Sequence, residues 1–168
     1  MNPFNKGDVG VNLDGVHGRI HQGQFFLASE FNTISGGSTF NYLISTNNSS
    51  AHFSFDITTN SDVTIIFRKQ VVVSAIGTPL DGLSVNDFST IEPQTVITTD
   101  ATLSDVGSEW ECILLLAGPG NSRNTQIGAS RVEEFVLKTN DFYAISIENL
   151  SAQTIDICTR IGWYEPSV

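Results

Sequence analysis

The chain has 168 residues, 40% of them apolar, and eight Lys and Arg against eighteen Asp and Glu give it a formal charge of −10. That length suits one domain whose core can stand without disulfides or metal, and the apolar content excludes a disordered chain. The acidity argues against direct nucleic-acid binding, which needs cations to displace condensed counterions; no apolar run is long enough for a membrane-spanning helix.

The start, MNPFNKGDVGVNLDG, lacks a charged stretch followed by an apolar one, so it is not expected to be a secretory signal. The chain is expected to be made in the cytoplasm and to leave, if at all, inside an assembly or by lysis. Residues 1–17 are rich in Gly, Asn and Asp with scattered Phe4, Val9, Val11, Leu13 and Val16. They are expected to form an extended arm, poorly ordered alone, ahead of a single domain over 18–168. His17 and His21 stand at i, i+4, the zinc spacing of a helix. Gly18 and Gly23 argue against a helix, and in a strand the rings would lie about 13 Å apart. No metal site is therefore expected.

From Arg19 onward the apolar period is two, between turn residues. Strands are expected at 24–33 and 39–46. In AHFSFDITTNSDVTIIFRK, Ala51, Phe53, Phe55 and Ile57 form one face, and Val63, Ile65 and Phe67 another. A two-residue turn would mix those faces. A three-residue loop over 59–61 sets Ile57 opposite Val63, Phe55 opposite Ile65 and Phe53 opposite Phe67, and so predicts a hairpin with His52 beside Arg68. Residues 77–82 and 118–120 are expected to be loops, with strands at 95–99 and 109–116. The last third, EEFVLKTNDFYAISIENLSAQTIDICTRIGWYE, holds three alternating runs turning at 139–141 and 150–152. A helix over 132–138 is the weaker alternative to the first run. Eight or more strands, no convincing helix and long returns between strands predict an all-β, jelly-roll-like antiparallel β-sandwich.

The stretch AGPGNSRNTQIGAS at 117–130 has the glycines of a phosphate loop, but no lysine and no following helix. A surface loop of this length is more often a contact. His52 as a base would find Asp56 about 13 Å along its own strand, too far for a triad bond, and no GxSxG occurs. Glu109 and Glu111 share a strand face, yet nothing fixes the carboxylate separation of a glycosidase. Trp110, Trp163, Tyr164, Tyr42 and Tyr143 could line a sugar platform, although such rings more often fill a core. Three sequons start at Asn47, Asn48 and Asn149, and carry no meaning without secretion. Cys112 and Cys158 are expected to be reduced, buried thiols, Cys112 packing with Trp110, Leu114 and Leu116. No catalytic, cofactor or metal constellation emerges.

Several blocks, taken in order, carry a likeness. They are Gly18-Arg19-Ile20-His21-Gln22-Gly23-Gln24-Phe25-Phe26, then AHFSFDIT with DVTIIFRK, then VSAIGTPLDGLSVNDFST, then a Leu-Lys-x-Asn-x-x-Tyr pattern, an Asn-Leu-Ser turn and a closing Trp-Tyr-Glu. Over roughly 18–165 the chain resembles the head decoration, or cement, proteins of tailed bacteriophages. The resemblance implies a jelly-roll virion protein, not an enzyme, made in the host cytoplasm. It would bind the major capsid protein on the capsid exterior and stabilise the head, often as a trimer or dimer, without cofactor, membrane or direct nucleic-acid contact. Residues 1–17 and the glycine-rich loop fall outside the likeness. Arms that order on binding are common in large assemblies, so Phe4, Val11, Leu13 and Val16 are expected contacts, as are Asn121, Arg123 and Asn124 of the loop. The competing expectation is a carbohydrate- or receptor-binding sandwich of a fibre or tail.

Overall fold

The structure is a computed structural model and describes residues 15–116, 125–128 and 134–166. It is an antiparallel β-sandwich. In chain order the elements are α1 (Gly15–His21), β1 (Phe25–Ile34), β2 (Thr39–Thr46), β3 (Ala51–Thr59), β4 (Val63–Lys69), β5 (Val72–Ala75), β6 (Thr78–Leu80), β7 (Leu83–Ser84), β8 (Val96–Thr99), β9 (Thr102–Asp105), β10 (Ser108–Leu115), β11 (Thr125–Gly128), β12 (Phe135–Leu137), β13 (Asp141–Asn149) and β14 (Ile155–Tyr164). One sheet runs β7-β1-β14-β3, with β11 and β12 both pairing the far side of β3. The facing sheet runs β6-β8-β2-β13-β4-β10, and β5 with β9 makes a small third one.

The alternating runs form strands because one face of each enters a shared core. Phe26, Phe53, Phe55, Ile57, Ile157, Ile161 and Trp163 from the first sheet meet Tyr42, Ile44, Ile65, Phe67, Ile145 and Ile147 from the second. All ten residues of β1 pair β14, from Phe25 opposite Tyr164 to Ile34 opposite Ile155.

The expected hairpin at 51–68 is not one. β3 pairs β14, β11 and β12, while β4 pairs β13 and β10. The turn over 60–62 is an arch that carries the chain from one sheet to the other. The two apolar faces do meet, but across the core: the Phe53 and Phe67 rings stack with centroids 5.7 Å apart. The same correction applies at 138–140 and 150–154, since β13 lies in the opposite sheet from β12 and β14.

Three further expectations fail for local reasons. Residues 15–21 are helical, and Gly23 ends the helix instead of preventing it. With φ at +70° it sits in the left-handed region, Gly23 N–H donates to Ile20 O and Gln24 N–H to Arg19 O. That is the glycine-terminated helix end in which two otherwise orphaned carbonyls are satisfied. The 77–82 loop contains β6, paired to β8. Residues 125–128 of the glycine-rich loop form β11, paired to Ile57 and its neighbours on β3.

The small sheet covers part of the second sheet's outer face. Val71, Ala101, Val73 and Leu103 pack on Leu43 and Ala144 there, which is why β13 is buried on both faces. Beneath them Arg68 Nε donates to Ser146 Oγ (3.1 Å), and Ser146 Oγ donates to Asn41 Oδ1 (2.7 Å). Arg68 is thus engaged here and not with His52.

Candidate contact surface

The outer face of the first sheet is not covered in this way. Alternation along β1 turns Phe25, Leu27, Ser29 and Phe31 outward, opposite Tyr164, Gly162, Arg160 and Cys158 of β14. β7 extends the same face, setting Leu83 opposite Leu27. Phe31 and Leu83 are each 68% exposed and Phe88, in the following loop, is 96% exposed, with Val85 and Ile91 exposed beside it. A groove of about 560 Å³ runs between Leu27, Ser29, Leu80, Leu83 and Val85, with Pro79 and Asp81 at its rim. Aligned apolar side chains on one face are what distinguishes a contact surface from scattered exposed residues.

At the foot of this face His52, Glu134 and Tyr164 converge. His52 Nδ1 lies 3.0 Å from Glu134 Oε2 and 2.8 Å from the Tyr164 hydroxyl, which itself donates to Glu134 Oε2 at 3.0 Å. The His52 and Tyr164 rings stack at 4.4 Å, and the Arg19 guanidinium lies 5.6 Å from the Tyr164 centroid. Burial, reinforced by the Glu134 hydrogen bond and charge, pushes the Tyr164 hydroxyl up to about 12. The partners of His52 thus come from β14 and from Glu134, not from Asp56 along β3. The nearby Ser54 hydroxyl donates to Gly162 O, so it is tied into the sheet and not to the imidazole. The group locks the end of the sheet.

A second concavity, of about 360 Å³, lies at the end of the sandwich among Asn32, Thr33, Ser35, Ser38, Thr39, Thr99 and Asp100, with Ile34 and the Phe40 ring as its apolar lining. Behind it Glu30 Oε2 accepts from Thr99 Oγ1 (2.8 Å) and Asn32 Nδ2 (3.3 Å).

The aromatic candidates divide. Trp163, Tyr42 and Tyr143 are buried. Tyr164 is stacked on His52. Trp110, 39% exposed, sits at a bulge between Glu109 and Glu111 and packs on Phe67, Phe135 and Tyr143, with Lys69 Nζ 5.4 Å from its centroid. That bulge breaks the regular alternation which would put Glu109 and Glu111 on one face. It also turns Cys112 and Leu114 outward, so Cys112 is exposed; Cys158 is exposed as well, on the outer face of β14. The expected buried thiols are therefore accessible ones. The sequon asparagine Asn149 is buried, with its amide nitrogen within hydrogen-bond distance of Ile34 O, Ser35 O and Gln153 O.

α1 does place positions 17 and 21 on one helix face. Among the described residues no group of three or more metal-ligating side chains occurs. Of the expected contact residues, Val16 lies within α1, and Phe4, Val11, Leu13, Asn121, Arg123 and Asn124 lie outside the described residues. Sequence reasoning missed the strip of Leu27, Phe31, Leu83, Val85 and Phe88. Its one available signal was Phe25, Leu27 and Phe31 recurring at even spacing on the polar side of β1. No protein-family model matches the chain, and no curated protein matches its sequence.

Proposed function

We propose that the chain is a non-enzymatic structural protein of a phage virion, which binds the outside of the capsid and stabilises the head. One observation carries this reading: the exposed apolar strip and groove on the outer face of the first sheet. Apolar area of this kind gains about 25 cal/mol for each Å² removed from water, so a partner surface that covers it is stabilised there. The major capsid protein is the partner we assign, and the chain acts as a homo-oligomer on the virion exterior.

The strand order supports a jelly roll. β1 pairs β14, β2 pairs β13, β3 pairs β11 and β12, and β4 pairs β10. A chain doubled back on itself and then wrapped into two sheets gives this nested set of pairs. A fold of that kind presents a broad, rigid outer sheet face for docking.

The test is to mix the purified protein with empty shells of a tailed-phage major capsid protein from the same genome, then sediment and measure occupancy. Saturable binding that raises the melting temperature of the shells is expected; shells that neither bind it nor gain stability would sink the proposal. The polar cleft at Asn32, Ser38, Thr39 and Asp100 favours a second reading, a carbohydrate-binding module, since hydroxyl, amide and carboxylate groups around one aromatic wall suit a sugar. Under that reading added saccharides shift the amide signals of Asn32, Ser38, Thr99 and Asp100 in nuclear magnetic resonance spectra, and shells bind nothing.

A further inference from the structure

We propose that the groove on the outer face of the first sheet takes an apolar segment of a partner protein that carries Lys or Arg, with Asp81, Asp87 and Glu92 selecting the cation. That the partner is the capsid rests on the proposed function above; the chemistry of the groove does not. The groove wall is braced before anything enters it. A Cβ at Gly82 would lie 2.6 Å from the Trp163 ring and 3.5 Å from Pro93 Cγ, so the turn between β6 and β7 is pressed onto the core with Pro93 beside it. Val85 N–H donates to Phe25 O, and Ser89 Oγ donates to Gly23 O at 3.2 Å. Asn86 Nδ2 donates to His21 O (3.2 Å), while Asn86 Oδ1 accepts from Phe88 N–H (3.1 Å). The loop that follows β7 is thus tied to the end of α1 and to the foot of β1. A wall already held in place spares a partner the cost of ordering it.

The charge around the groove is one-sided. Its lining is mainly apolar, with Asp81 as the one charged residue. Asp87 follows shortly after Val85, and Glu92 precedes the Pro93 that packs beside Gly82. All three carboxylates are exposed, and among the described residues none of them is in an ion pair. Between Lys69 and Arg123 the sequence holds no Lys or Arg, so β6, β7 and the loop after them supply no cation of their own. Beyond the opposite wall, Arg160 stands between Ser29 and Asp56 and so has a carboxylate across from it. An apolar slot with acids along one wall suits an apolar occupant bearing a cation. Exposed ion pairs add little affinity. Their effect is discrimination, because like charges brought together penalise the wrong partner. The same carboxylates disfavour an anionic lipid surface. They also disfavour a second copy, which would bring the same acidic wall to the contact.

Two aromatic ions of similar size, naphthylmethylammonium and naphthalenesulfonate, test this without a capsid. Each is titrated into the full chain and followed by nuclear magnetic resonance. The ammonium is expected to shift the amide signals of Leu27, Leu83 and Val85 at a concentration at least about threefold lower than the sulfonate. Asp81→Lys, Asp87→Lys and Glu92→Lys combined should reverse that order. All three positions are exposed, so folding is not at stake, and an unchanged melting temperature checks it. Equal shifts by the two ions, or an order that the reversed charges leave as it was, overturns the proposal. The charge-reversed chain should also bind empty shells at least about threefold more weakly than the natural one. If the ion order reverses and shells bind both chains equally, the groove chemistry stands and the capsid is not its occupant. Binding to phosphatidylglycerol vesicles that shifts these same amides, or a dimer in light scattering that does so, names another occupant and overturns the assignment to a basic partner protein.

Discussion

Glu165 brings a carboxylate to 7% exposure at the end of β14, and backbone donors surround it. Gln94 N–H lies 3.0 and 2.9 Å from its two oxygens, Thr95 N–H lies 2.6 Å from Oε1, and Trp163 Nε1 is 3.3 Å away. It thus ties the segment entering β8 in one sheet to the end of β14 in the other. Hydrogen bonds to a charged group contribute about 1.5–3 kcal/mol, and a buried donor left without an acceptor costs a similar amount. Glu165→Gln places an amide NH2 among these donors. It should lower stability by about 2 kcal/mol in denaturant unfolding and the melting temperature by about 4–8 °C; a change within error would deny the clamp its role. The three tyrosines make a pH prediction at the same scale. Burial raises Tyr42, Tyr143 and Tyr164 alike above the ordinary phenol value, Tyr164 to about 12. An unfolded tyrosine loses its proton near pH ~10. Between there and about 12 the unfolded state binds fewer protons than the folded one, so stability falls as pH rises. The stabilisation is complete below the unfolded value and is lost through the folded one. Denaturant midpoints should hold up to about pH 10 and then decline, and Tyr164→Phe should make the decline shallower; an identical slope in that variant would remove Tyr164 from the cause.

At the scale of elements, the alternation of Ala51, Phe53, Phe55 and Ile57 against Val63, Ile65 and Phe67 was legible, and so was the need for their faces to meet. What alternation cannot specify is whether two such faces meet along a ladder or across a core, because both satisfy the same burial. The three residues between them, Asn60–Asp62, serve a hairpin or an arch equally well. Here the long-range partners decide: β14 takes the ladder side of β3 and β13 that of β4. The helix at 15–21 was missed because Gly23 marks a helix end as readily as a loop. Cys112 was misplaced because one bulge at Trp110 reverses which face each following residue takes. The arch makes a prediction that a hairpin does not. Phe53 and Phe67 stack directly from opposite sheets, and both are nearly inaccessible. Either change to Ala should cost about 3–5 kcal/mol. A double-mutant cycle between the two should show coupling of about 1 kcal/mol, and additive losses would contradict the stack.

Over the whole molecule, the sandwich was legible because period-two patterning recurs through most of the chain, whereas the surface that carries the functional reading was not. Leu83, Val85 and Phe88 lie in a stretch of two-residue strand and turns, where no period exists, and Leu83 comes opposite Leu27 only once β7 pairs β1. Their exposure is a property of topology. It also separates stability from docking in a way that can be measured. Leu83 and Phe88 contribute little to the core, so Leu83→Ser and Phe88→Ser should each change unfolding stability by no more than about 0.5 kcal/mol. If the strip faces the capsid, a large apolar side chain seated in a partner's pocket contributes about 1–3 kcal/mol to binding. Shell affinity in sedimentation should then fall roughly tenfold or more for each variant. Raising the salt concentration should change it little, because the contact is mainly apolar and Asp81 is the one charged residue lining the groove. Full affinity in both variants, or binding abolished by salt alone, would move the contact away from the first sheet and leave the polar cleft as the surface to pursue.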